Sequence, residues 1–540
     1  MKNWQKLFLA LIILLATVLR FWDLGKNPPS PDWDEVAIGY NAHSLLETGR
    51  DEYGIKYPLV FRSFDDYKTP LYFYLTVPMV KIFGLNVFAV RFSSAAFGVL
   101  AVLGTYFLVQ EIFRKKSLAL LAAFLLAISP WHIYFSRIAF EANTGAALNI
   151  WAAFFFLYAL RKKPWLIIFS ACLFGLALYA YHSERVFTPL LVLGLAFIFR
   201  QKLWQMKKPV LVSFLVGLIF ALPVARLLTQ KGSLQRFQGT SVYSDKTPLL
   251  ERNIVKLEED QAKGNKIGLI FDNRRITYVT AFISGYISHF SPNWLFLAGD
   301  EARHHAPDVG LLYLWDIPFL LAGIFFLLSQ KGWQRAFIFW WFFISPIAAA
   351  PTSGTPHAVR TIVFLPTFQI FTALGLIVII DCIDKLKKPT LKISAILFIT
   401  LFLFLNFLYF IHMYATHMPI EYSKFWQYGY REAVDYVKEN GVKYDKIVVS
   451  TKLEQPHMFF LFYLKYDPKK YLAEGGTASG GFAEWRNKFD KYEFRVIDWD
   501  KEEKNPKILY IGTPPKEITS GIVKTIYYLN GEEAIRIAVK

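Results

Sequence analysis

Charge is scarce in this chain. Of 540 residues only 19% are charged, against 54% hydrophobic and 18% aromatic, and the apolar residues run in long blocks that a soluble core does not need. That balance excludes an ordinary soluble protein and predicts a polytopic membrane protein. Cysteine is nearly absent: Cys172 and Cys382 are the two present, and both lie in apolar blocks, which supports neither a disulfide framework nor a cysteine metal site. Small residues are missing after the first apolar run, where Arg20, Phe21, Trp22 and Asp23 stand. A cleavable signal peptide needs them there, so the run is read as an uncleaved first span. No strand-to-helix phosphate motif surrounds Gly475, Gly476, Gly480 and Gly481, so they form a turn-rich connection and not a nucleotide cradle. Internal repeats, coiled-coil heptads and a disordered tail are likewise missing. The net charge of +18 does not indicate nucleic acid, because Lys and Arg gather in short runs between apolar blocks, as membrane orientation demands.

What is present is a series of apolar blocks. Candidate spans are Leu7 to Trp22, Val87 to Ile112, Leu118 to Tyr134, Ala146 to Leu160, Trp165 to Tyr181, Val186 to Phe199, Val210 to Val224, Leu311 to Leu328, Ala336 to Ala350, Ile362 to Ile380 and Ile393 to Ile411. The basic runs Arg114 to Lys116, Arg161 to Lys163, Arg200 to Lys208, Lys331 with Arg335, and Lys385 to Lys392 all fall on the side of the N-terminus, which makes that side the cytoplasm. The stretches Leu71 to Gly84 and Ile276 to Phe290 read as interfacial helices; if both span, eleven spans become thirteen. Residues 414–540 change character, with an amphipathic helix pattern over Lys424 to Glu439 followed by strand-like runs near Asp445, Lys491, Lys507 and Ile522. The expected architecture is therefore a polytopic α-helical membrane domain, residues 1–413, followed by a small outward-facing α/β domain, residues 414–540.

The chemistry concentrates in the first outward loop, residues 23–86. Asp32, Asp34, Glu35, Asp65, Asp66 and Lys68 stand close together beside a bilayer, where carboxylates are costly and mark function by default. The run VAIGYNAHSLL places Ile38, Ala42 and Leu45 on one helical face, so the acids sit at the N-terminus of an interfacial helix. An ionised Asp34 beside a bound hydroxyl meets the requirement for a general base. The competing reading is that Asp34 caps the helix, as Asp readily does.

The whole segment, a Trp/Pro-Asp-Glu turn after the first span, a helix ending at Gly49, and Lys68-Thr69-Pro70-Leu71-Tyr72 some thirty residues on, resembles the protein O-mannosyltransferase and aminoarabinose transferase group (glycosyltransferase family 39-like). These are membrane glycosyltransferases of the GT-C fold. The resemblance implies inverting transfer of a sugar from a polyprenyl-phosphate donor to an acceptor hydroxyl on a protein, lipid or glycan at the outer face. Carried over, Asp34 is the base, with Glu35 its neighbour in the motif and Asp32 in reserve. Lys68 corresponds to the lysine that holds the lipid phosphate, and a compact ammonium at the interface suits a phosphodiester. Relatives often read Glu-Lys-Pro where this chain has Tyr67-Lys68-Thr69-Pro70, which weakens any metal role borrowed from the aminoarabinose branch.

Arg137, Arg185, His357 and Arg360 start or end spans on the same outward side, and with Asp66 and Arg303 they complete the candidate binding set. Lys68 and Arg360 are expected to hold the phosphate. The pair His304-His305 in the long outer loop, residues 226–310, raises a metal, but adjacent side chains point different ways and a third ligand is not evident at useful spacing. No metal ligand is assigned and no nucleotide is needed, while a divalent metal stays open as a cofactor. Two rival readings are a lipid-linked oligosaccharide polymerase or ligase, with key residues in the late outer loop, and a lipid flippase without chemistry. A flippase predicts charges inside the spans, whereas here they stand at the outer edge.

Overall fold

In the computed structural model, residues 3–64, 66–228, 241–243, 246–479 and 485–540 are described. Asp65, Gly480 and Gly481 lie outside them. Each of the eleven expected spans overlaps a helix. Among the described residues five helices are long and apolar enough to cross a membrane: Asn3–Phe21 (α1), Val87–Phe113, Lys207–Leu227, Ile362–Ile383 and Pro389–Glu421. A sixth results if Lys116–Ile128 and Pro130–Ser136, bent by 60°, form one broken span. The bend has a local cause: Pro130 disfavours helical geometry in the residue before it, and Ser129 is extended, with ψ 126°. Lipid exposure differs sharply along the series. Only 6% of the most apolar window is buried in Lys207–Leu227 and in Pro389–Glu421, against 83% in Ile362–Ile383; the first two present apolar side chains outward, as hydrocarbon solvent permits. The chain is an integral membrane protein.

The chain divides into two compact units. The first comprises Met1–Ala16, Gly98–Ile133 and Ala142–Leu408; the second comprises Thr17–Phe97, Tyr134–Glu141 and Tyr409–Lys540. In the first unit the buried helix Thr367–Ile383 packs on Asp316–Ser329 and on Lys116–Ile128.

The second unit joins the loop after α1 to the C-terminal α/β part. Its helix Trp33–Thr48 (α2) is followed by a short hairpin, Phe61–Ser63 (β1) with Asp66–Lys68 (β2), in the register Phe61↔Lys68, and by helix Leu71–Phe83 (α3). The C-terminal strands are Lys446–Val449 (β3), Lys488–Phe489 (β4), Tyr492–Phe494 (β5), Ile508–Gly512 (β6), Ile522–Tyr527 (β7) and Glu533–Val539 (β8). They form one sheet in the order β4-β5-β3-β6-β8-β7, with β3 parallel to both β5 and β6 and the remaining pairs antiparallel. The four expected strand runs are β3, β5, β6 and β7, and the amphipathic pattern becomes helix Tyr430–Asn440.

One expectation is corrected here. Helix α2 is not a one-faced interfacial helix: Glu35 to Ala42, Ser44 and Leu45 are all buried. It packs on α3, on helix Pro456–Leu464 and on helix Pro468–Ala473, so the face expected to meet the lipid interface is buried inside the protein. Close approach needs Gly39, where a Cβ would lie 2.5 Å from the Phe462 ring and 2.7 Å from Val90.

Candidate functional site

Helix α2 begins where Pro31 leaves Asp32 extended, at φ −84° and ψ 176°. The Asp32 carboxylate accepts the Glu35 N–H at 2.9 Å, and Glu35 Oε2 accepts the Asp32 N–H at 3.3 Å. This is a reciprocal capping box. Asp32, fully buried, is therefore the cap of α2, the role weighed for Asp34. Glu35 is equally committed. Arg91 grips it through two hydrogen bonds of 2.8 Å, both side chains fully buried, and the Ala139 N–H donates to Oε1 at 2.9 Å. The remaining Arg91 donors reach the carbonyls of Leu24, Pro28 and Ser30. Glu35 and Arg91 thus fix the loop entering α2.

One residue earlier on the same helix, Asp34 is not among the partners of Arg91 or of the capping box. Its carboxylate forms an ion pair with Lys68 at the end of β2, the side chains being 27% and 9% exposed. The hairpin register sets this meeting, since Lys68 lies opposite the buried Phe61, which stacks on Phe73 of α3 at 4.0 Å. Burial alone would lower the Lys68 pKa, but the carboxylates of Asp34, then Glu141 and Asp66, hold it above its ordinary value. Asp66 is oriented by the Tyr67 N–H at 2.8 Å. The result is a protonated ammonium among three carboxylates, of which Asp34 and Asp66 are partly open to solvent and Glu141 is buried.

Arg137 falls elsewhere. It is fully buried, donating to Tyr414 Oη at 2.8 Å and to the carbonyls of Leu19 and Asn27 at 2.9 and 3.1 Å, and it lies against the Trp22 and Tyr414 rings. These contacts tie it to the loop after α1 and to Tyr414. A cavity of about 530 Å³ in this unit is lined by Trp22, Asn27, Arg431, Asp435 and Tyr463 among others; its walls hold neither Asp34 nor Lys68.

The remaining candidates belong to the first unit. Arg185 donates to the Leu178 carbonyl at 3.3 Å and meets His182 Nδ1 at 3.2 Å, and Arg303 is half-buried. Arg360 donates to the Ser353 carbonyl at 2.8 Å and to Thr352. His357 joins a group that sequence reasoning missed. Asp300, His304 and His357 each present a ligand atom, all within 4.8 Å of one another. Asp300 Oδ2 accepts the Ala358 N–H at 2.6 Å and lies 3.1 Å from His304 Nδ1. Behind them the His357 N–H donates to His289 Nε2 at 3.2 Å, and His289 Nδ1 bonds the Gly285 carbonyl at 2.7 Å. Burial, then the neighbouring Arg360 and His304, push the His357 pKa well down, so its ring is neutral. The spacing of Asp300 and His304, four residues apart on one turn, was a legible signal; their partner 53 residues further on was not.

Comparison with known proteins adds three findings. The family model for dolichyl-phosphate-mannose-protein mannosyltransferase matches residues 67–226. The crystal structure of ArnT from Cupriavidus metallidurans bound to undecaprenyl phosphate superposes with a TM-score of 0.56 at 12% identity, over 98% of this chain and 97% of that one. The Archaeoglobus fulgidus oligosaccharyltransferase, tethered to an acceptor peptide containing an NVT sequon, superposes with a TM-score of 0.53 at 16% identity, over 86% of this chain. The chain spans 63% of that protein's length. No curated protein matches the sequence. The fold is the GT-C fold of membrane glycosyltransferases. Within it the chain resembles ArnT and the protein mannosyltransferase group.

Proposed function

We propose that this protein is an inverting glycosyltransferase that moves a sugar from a polyprenyl-phosphate donor to an acceptor hydroxyl at the outer face of the membrane. The observation that carries the reading is the Asp34–Lys68 ion pair, formed by a carboxylate that takes no part in the capping box at the start of α2. Likeness to a structure holding undecaprenyl phosphate supports the donor class. An ammonium carries three donors, so Lys68 can hold a phosphate oxygen while Asp34 turns toward the acceptor. Asp34 then takes the acceptor hydroxyl proton as the acceptor oxygen bonds the anomeric carbon. The bond from that carbon to the phosphate oxygen breaks, and polyprenyl phosphate leaves with the electron pair. Lys68 stabilises the charge building on the leaving group. Its raised pKa keeps it cationic across the physiological range.

The test is turnover of a panel of polyprenyl-phosphate monosaccharides by the full chain in liposomes. Asp34→Asn is expected to reduce transfer by about 10²- to 10⁴-fold, the usual contribution of a general base. Equal turnover by wild type and variant would remove Asp34 from the chemistry.

A further inference from the structure

We propose that Asp300, His304 and His357 bind a divalent metal of the zinc class that pins the outer loop containing Asp300 to the segment preceding Ile362. The donor set is two imidazoles and a carboxylate, which suits zinc and its first-row neighbours and leaves a fourth position for water or a ligand. The three ligand atoms lie within 4.8 Å of one another, and the Asp300 and His304 side chains are only 6% and 7% exposed. His357 Nδ1 is buried with no hydrogen-bond partner among the described residues, a position that costs free energy unless something occupies it.

The surroundings fix these groups as an outer layer fixes ligands in metal sites. His289, itself tied to the Gly285 carbonyl, holds the His357 backbone, and the Ala358 N–H holds Asp300. The chain turns into the cluster at Gly299, at φ +68°, where a Cβ would come within 2.4 Å of the His305 ring. His305, adjacent in sequence, bonds its Nδ1 to the Glu301 carbonyl at 3.0 Å and stays outside the ligand set. The proposal stands on this cluster alone and does not depend on the transfer reaction.

The test uses the full chain, purified in detergent without a polyhistidine tag and stripped with chelator. Titration with Co²⁺ is expected to give one equivalent with the visible bands of a tetrahedral nitrogen and oxygen site, and Zn²⁺ to displace it and raise the thermal midpoint. Asp300→Asn and His357→Ala should each lose the bands and weaken zinc binding by about 100-fold or more, while His305→Ala binds as wild type. A wild type without a stoichiometric site, or ligand variants that keep the full equivalent, would overturn the proposal. If a variant does not fold, the wild-type cobalt spectrum decides: bands of the free aqua ion count against the site.

Discussion

Asp32 and Asp34, two residues apart, serve different ends. Asp32 closes the N-terminus of α2 and is wholly buried, whereas Asp34 faces Lys68 at a partly open position. Their substitutions should therefore separate stability from activity. Asp32→Ala is expected to cost about 1 to 2 kcal/mol through loss of the cap. Asp34→Asn should leave the thermal midpoint near that of wild type while lowering transfer by about 10²- to 10⁴-fold. Glu35→Ala strands the buried Arg91 without its partner and should cost about 3 to 5 kcal/mol. Thermal unfolding of the three variants in one detergent checks the order, and an Asp34→Asn protein as unstable as Glu35→Ala would contradict the division. The sequence made both aspartates visible as candidates. It ranked Asp34 above Asp32 through the family resemblance alone, because which of them caps α2 depends on where the chain leaves its extended geometry and on the hold of Arg91 on Glu35, 56 residues apart.

At the scale of elements, the apolar blocks, α2, and four of the C-terminal strands were legible from periodicity, which is local. What escaped was decided by contacts distant in sequence. The run Pro456 to Leu464 is apolar all round, and short runs of that kind do not distinguish strand from helix; it is a helix, and it packs on α2. Strand β8 also went unread, although it pairs with both β6 and β7 and anchors that edge of the sheet. The packing at α2 has a direct check. Gly39→Ala places a methyl group where Phe462 and Val90 already stand, and is expected to destabilise the second unit by about 1 to 3 kcal/mol. Unchanged stability would mean that the Pro456–Leu464 helix does not press on α2 as described.

For the molecule as a whole, buried titratable groups give the second unit a signature in pH. Burial pushes the His457 pKa down to about 3 from an ordinary 6.5. The unfolded chain takes up this proton first, so the stability contributed is full above about pH 6.5 and falls as pH drops, by about 1.4 kcal/mol per unit. Glu52, buried against Asn41 and Thr477, is raised to about 7 and acts with the opposite sign between its unfolded value of 4.5 and that pH. The two slopes offset one another in wild type. His457→Leu removes one of them, so the variant should gain thermal stability relative to wild type as pH is lowered from 7 to 5; a constant difference would contradict the burial of His457.

The central claim is that Asp34 and Lys68 act on one substrate in separate roles, and kinetics with a single polyprenyl-phosphate sugar tests it most directly. Wild type, Asp34→Asn and Lys68→Ala would be compared in liposomes for donor binding and for release of polyprenyl phosphate. The account predicts that Asp34→Asn keeps donor affinity and loses turnover, whereas Lys68→Ala loses donor affinity as well. Both variants turning over donor at the wild-type rate, or no donor being consumed while lipid moves between leaflets, would contradict it.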